Sequence, residues 1–197
     1  MFLTACRRFL PPKGLPLATI TVAATGMLYP LLVYAARETV APAGFVAVAV
    51  GLIGLRLVLS GGAAARVWRV PLLAAAGAMA ALLPLDPWLA ARAYPVVLSL
   101  GFAAAFAVTL RHPPSLIERL ARLREPDLPP EGQAYCRTVT WVWAVWLTVN
   151  AAVATALAVA GSDAAWALWT GLLSYVAMGV LFAGEWLVRR RVRGAAR

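Results

Sequence analysis

The chain has 197 residues, 62% of them hydrophobic and only 13% charged, with a formal net charge of +10. A soluble domain of this size carries roughly 25% charged residues, so much of this surface does not face water. That balance excludes an ordinary water-soluble enzyme and fits a single membrane-embedded domain.

In chain order, Leu3-Thr4-Ala5-Cys6 superficially fits a lipoprotein cleavage box. The five residues before Cys6 leave no room for a basic and an apolar segment, so the match fails. Arg7, Arg8 and Lys13 then precede an apolar run over residues 15–36. That run is too long for a cleavable signal and reads as a retained start-transfer helix. Further runs cover 42–60, 67–85, 93–110, 138–160 and 164–188. Each approaches the roughly 20 residues that span a bilayer core. Lipid demands internally satisfied backbone, and period-two alternation is absent, so the runs are helices and not barrel strands.

Arg and Lys positions set the orientation. The N-terminus carries Arg7, Arg8 and Lys13, and the second-to-third connection Arg66 and Arg69. The fourth-to-fifth connection carries Arg111, Arg119, Arg122, Arg124 and Arg137, and the C-terminus Arg189, Arg190, Arg191, Arg193 and Arg197. Those are fifteen of the 18 basic residues; Arg37 and Arg92 lie on the other side and Arg56 within the second run. The expected fold is therefore all-α: a polytopic membrane helix bundle of six transmembrane helices with both termini cytoplasmic. The charge is topological, with some attraction to anionic lipid, and does not mark a nucleic-acid partner. Trp68, Trp141, Trp143 and Trp186 near one set of helix ends, and Trp88, Tyr94, Trp166 and Trp169 near the other, read as interfacial belts. Cys6 and Cys136 do not suggest a disulfide framework.

Between the fourth and fifth runs, Ser115-Leu116-Ile117-Glu118 is a capping box opening a short amphipathic helix over 115–124. Leu116, Ile117, Leu120 and Leu123 share one face, while Arg119, Arg122 and Arg124 lie largely on the other. This is the candidate partner or lipid surface: the helix lies in the membrane interface, packs on the bundle as a plain connector, or does both, since the two are not exclusive. Pro126 to Pro130 reads as an extended linker.

Three polar residues fall within apolar runs, where a charge costs roughly 2.5–3.5 kcal/mol on insertion scales. Arg56 either snorkels to the headgroups or pairs with Glu185, which also has Arg189 four residues on. Asn150 is either interhelical glue or part of a polar path. His112 is the one histidine in the chain. No metal-ligand spacing, catalytic triad or phosphate-binding glycine motif is present, so neither a cofactor nor an enzyme is expected.

The C-terminal half, with Pro114-Ser115-Leu116-Ile117-Glu118-Arg119-Leu120, Leu128-Pro129-Pro130, Trp143-Ala144-Val145-Trp146, Asn150-Ala151 and Trp166, resembles the intracellular septation protein A (YciB-like) inner-membrane family. Tyr29-Pro30-Leu31-Leu32-Val33-Tyr34 and Leu55-Arg56-Leu57-Val58-Leu59-Ser60 look like its first two helices. The string from Leu181 to Arg190, with Glu185-Trp186 at its centre, is closer to a group of bacterial membrane proteins encoded in aryl polyene or xanthomonadin-type clusters. The resemblance implies a non-enzymatic scaffold or accessory factor in cell-envelope or lipid/polyene biosynthesis, working with protein partners. The alternative is a small carrier or translocation factor for a lipid-like or acyl product. Arg56 departs from the septation pattern, where this position tends to be uncharged.

Overall fold

The structure, a computed structural model, describes residues 17–59, 62–123 and 125–195, with side chains for 24–59, 69–123 and 125–188. Each of the six apolar runs is helical. The elements are α1 (Leu17–Ala36), α2 (Pro42–Leu59), α3 (Gly62–Leu82), α4 (Pro87–Arg111), α5 (Leu116–Arg122), α6 (Pro130–Ala160), α7 (Asp163–Leu168), a π turn (Trp169–Leu173) and α8 (Ser174–Ala195). No strand occurs among the described residues. Cys6, Arg7, Arg8, Lys13, Arg124 and Arg197 lie outside the described residues, as do the side chains of Arg66, Trp68, Arg189, Arg190, Arg191 and Arg193.

Several helices start earlier than their apolar runs, each for a local reason. Helix α4 begins six residues ahead of 93, because Asp86 caps it by accepting from the backbone N–H groups of Trp88 and Leu89, both at 2.9 Å. Pro87 supplies the first helical residue, where a missing N–H costs nothing. Helix α6 begins at Pro130 for the same reason, so the extended linker is shorter than expected and ends at Pro129. The last run is interrupted by the π turn, although its chain continues as one rod from α7 through α8.

Helix α4 is central, packed on α3 along one side and on α6 along the other. The α3 crossing is close because Gly101 lacks a side chain: a Cβ there would stand 2.7 Å from Pro71 Cβ and 2.8 Å from its Cα. A second knot joins α1, α2 and α4. Pro95 has no N–H to offer the carbonyl four residues back, at Ala91. The Tyr29 hydroxyl donates to that carbonyl at 2.9 Å, and more weakly to the Phe45 carbonyl at 3.3 Å. The Tyr29 and Tyr94 rings meet edge to face with centroids 5.2 Å apart.

Four helices are long and apolar enough to cross a membrane: Pro42–Leu59, Pro87–Arg111, Pro130–Ala160 and the continuous Asp163–Val188. In α1 and α3 the described apolar stretches, Ala24–Ala36 and Arg69–Leu82, are shorter. Besides the buried core, many large apolar residues are exposed around the bundle: Val58 is 83% exposed, Val159 71% and Val180 66%. Continuous exposed apolar surface on this scale is the signature of a chain solvated by lipid and not by water. The aromatic belts are only partly as expected. Trp141 and Trp186 are exposed, whereas Trp166 and Trp143 are buried, the latter against Phe182 with centroids 4.6 Å apart.

Candidate functional site: a braced helical corner

The most elaborately built polar region is the corner where α4 hands over to α5 and α6. The first backbone N–H groups of a helix have no intrahelical acceptor. Here two threonines from the bundle supply them. Leu116 N–H donates to Thr109 Oγ1 at 2.9 Å, and Ile117 N–H to Thr140 Oγ1 at 3.4 Å. Those hydroxyls in turn donate to the carbonyls of Phe106 at 2.8 Å and Cys136 at 2.7 Å. Helix α5 is thereby pinned to both α4 and α6, as the connector reading expected.

The capping box is present in its carboxylate arm. Ser115 N–H donates to Glu118 Oε2 at 3.3 Å, while the buried Ser115 hydroxyl stays beyond reach of a partner. Glu118 is itself buried, and Arg122 answers it with Nε at 3.0 Å and Nη2 at 2.8 Å, both to Oε1. Arg122 also donates to the Pro126 carbonyl at 3.2 Å. Arg119 closes the other side, donating to the carbonyls of Pro114 at 2.8 Å and His112 at 3.1 Å. Both arginines thus hold their own loop, although Arg119 remains solvent-facing. The four apolar residues divide: Leu116 is buried, Ile117 half-buried, while Leu120 is 50% and Leu123 78% exposed. The outcome is a rigid helix with two leucines facing outward.

Of the three intramembrane polar residues, Asn150 and Glu185 occupy separate settings. Asn150 is buried and donates from Nδ2 to Ser99 Oγ at 3.0 Å, while its Oδ1 accepts from Trp169 Nε1 at 3.1 Å. One amide therefore joins α4, α6 and the π turn, the arrangement that interhelical glue requires. Glu185 accepts from the Tyr135 hydroxyl at 3.0 Å, bringing α8 to the first turns of α6. Tyr135 and Asn150 are fifteen residues apart, or about 22 Å along the helix, so Asn150 and Glu185 sit at different depths. Arg56 is half-buried on α2, within electrostatic reach of the Tyr94 phenol.

At the opposite end of the bundle, Asp163 lies between two arginines. Its carboxylate bonds Arg92 and stands 3.7 Å from Arg37 Nε. Arg92 also donates to the Ala158 carbonyl at 3.1 Å, in the last turn of α6, where a cation complements the helix dipole. Arg37 donates to the Tyr34 carbonyl at 2.7 Å and stacks over the Tyr34 ring. The cluster holds the ends of α1, α4 and α6 to the start of α7. Sequence spacing did not reveal it, since Asp163 lies 71 residues along the chain from Arg92 and farther still from Arg37. No group of three or more His, Cys, Asp or Glu able to hold a metal occurs among the described residues.

Compared with known protein families, with curated proteins and with solved structures, the chain matches none.

Proposed function

We propose that the chain is a six-span protein of a bacterial inner membrane, with both termini cytoplasmic, acting as a non-enzymatic scaffold or accessory factor. The resemblance to the septation family and to the polyene-cluster group suggests cell-envelope or lipid/polyene biosynthesis as its setting. The observation that carries the scaffold reading is the braced corner. A seven-residue helix is too short to be stable alone. Here it is fixed from beneath by Thr109, Thr140, Glu118 and Arg122, and turns Leu120 and Leu123 outward. A preorganised patch of this kind lowers the ordering cost of docking a partner. The carrier reading needs Arg56, Asn150 and Glu185 to converge on one cavity, and the commitment of both ends of the buried Asn150 amide to Ser99 and Trp169 favours the scaffold instead.

The six-span orientation is supported by more than the loop arginines. Arg37 and Arg92, the two basic residues on the other side, share Asp163. Helix α1 turns back through a short loop and packs along α2 and α7, so it runs alongside spanning helices.

The test is photocrosslinking in cells from positions 120 and 123, with Leu187 on α8 as the lipid-facing control. Crosslinks to cytoplasmic or membrane proteins, lost in a Leu120→Glu/Leu123→Glu variant that keeps the Arg and Glu braces, are the expected result. Crosslinks to lipid alone at all three positions would exclude a docking role for the corner.

A further inference from the structure

We infer that the groove between α6 and α8 is a binding site for one anionic phospholipid, with its phosphate at Arg137 and an acyl chain along the apolar floor. The inference rests on the bundle being embedded in lipid and not on the scaffold role of the corner. The groove is shallow and open, about 370 Å³ in volume, and is lined by Thr138, Trp141, Val142 and Val145 of α6 and Leu181 of α8. The four α6 residues follow the spacing that places side chains on one face. That face is about 10 Å long. Such a length suits part of a lipid chain and is far too short to seat a partner helix.

What marks the occupant as anionic is the mouth of the groove. The Tyr135–Glu185 hydrogen bond draws α6 and α8 together just beyond it. Arg137 lies one turn before Trp141 and two before Val145, on the same stripe of α6, and is exposed. Unlike Arg119 and Arg122, it makes no hydrogen bond or ion pair with a described residue. Helix α6 has 31 residues, about 46 Å, against a hydrocarbon core of about 30 Å. Counting back from Ala160, the core is used up near residue 140, which sets Arg137 at headgroup level and the groove just inside it. The exposed Trp141 and Trp186 rings belong to that level as well. A second copy of the chain, docked on this face by twofold symmetry, would bring the two copies of Arg137 toward each other. A phosphate complements Arg137 instead.

Native mass spectrometry of the full-length protein, given an equimolar mixture of phosphatidylglycerol and phosphatidylcholine with identical chains, tests this. The wild type is expected to retain phosphatidylglycerol preferentially, and Arg137→Ala to lower that preference about fivefold, the effect of one surface arginine. Arg111→Ala, equally exposed but on α4, is expected to leave the preference unchanged. Val142→Trp fills the groove at an already exposed position and is expected to reduce retention of both lipids. Equal retention of the two lipids by the wild type overturns the inference, as does an unchanged preference in Arg137→Ala. A Val142→Trp variant that dissociates a dimer while keeping its lipid would show a protein–protein contact and overturn it too.

Discussion

Tyr29 and Glu118 each complete a backbone or charge that another residue leaves unfinished. Pro95 strips the Ala91 carbonyl of its helical donor, and Tyr29 replaces it from another helix. Tyr29→Phe keeps the ring and its contact with Tyr94 but orphans that carbonyl. The expected cost is about 1 kcal/mol of stability, measurable by steric trapping or thermal unfolding in detergent. An unchanged melting temperature would mean that the carbonyl finds water or another donor. Glu118→Gln retains the shape of a buried side chain and neutralises the acceptor of two bonds from Arg122, at an expected cost of about 1.5 kcal/mol. Hydrogen exchange in residues 113–123 is expected to speed up by about tenfold or more, with the bundle amides unaffected. These roles were unequally visible in sequence. The Ser115–Glu118 spacing announced a cap, and Asn150 announced glue. Neither the burial of Glu118 nor the Tyr29–Ala91 bond could be read, because both depend on which helices become neighbours.

At the scale of the element, prolines and glycines in apolar runs do different work according to what faces them. Gly101 and Gly51 are alike in sequence context, each within an alanine- and valine-rich stretch. Gly101 meets Pro71 backbone, whereas nothing lies within 4 Å of a Cβ at Gly51. Gly101→Ala is therefore expected to cost about 1–3 kcal/mol through overpacking. Gly51→Ala is expected to be neutral or to stabilise by up to about 1 kcal/mol through helix propensity. Equal melting temperatures for the two variants would show that α3 shifts away freely. The helix starts were legible in part: Asp86-Pro87 and Pro129-Pro130 are good N-terminal signals, but hydrophobicity alone placed the boundaries inside the apolar stretch. The π turn left no comparable sign. It lets Trp169 reach Asn150, and a turn of this type is set by such tertiary contacts and not by local propensity.

For the whole molecule, six spans and four make different predictions at only a few positions. Helices α2, α4, α6 and α8 cross in either arrangement, by their length and composition. If α1 and α3 also cross, Glu38 lies outside and the residues just after α2 lie inside. If α1 and α3 do not cross, both assignments reverse while Asp86, Ser162 and the α5 corner keep their sides, which would part Arg37 from Asp163. Residue 38 is therefore the discriminating site, and the loop arginines alone decide it weakly, since only short segments change sides. Helix α1 has 20 residues, about 30 Å, and Tyr29 fastens it to α2 and α4 near their Pro42 and Pro87 ends. A helix of that length bound antiparallel to a spanning neighbour covers the same hydrocarbon thickness. Single cysteines at positions 38, 86, 127 and 162, in a variant with Cys6 and Cys136 replaced by serine, are expected to split cleanly. A membrane-impermeant maleimide should label 38, 86 and 162 in intact cells and 127 only after permeabilisation. Labelling of 86 and 162 without 38 would overturn both the six-span arrangement and the packing that sets Arg37 beside Asp163.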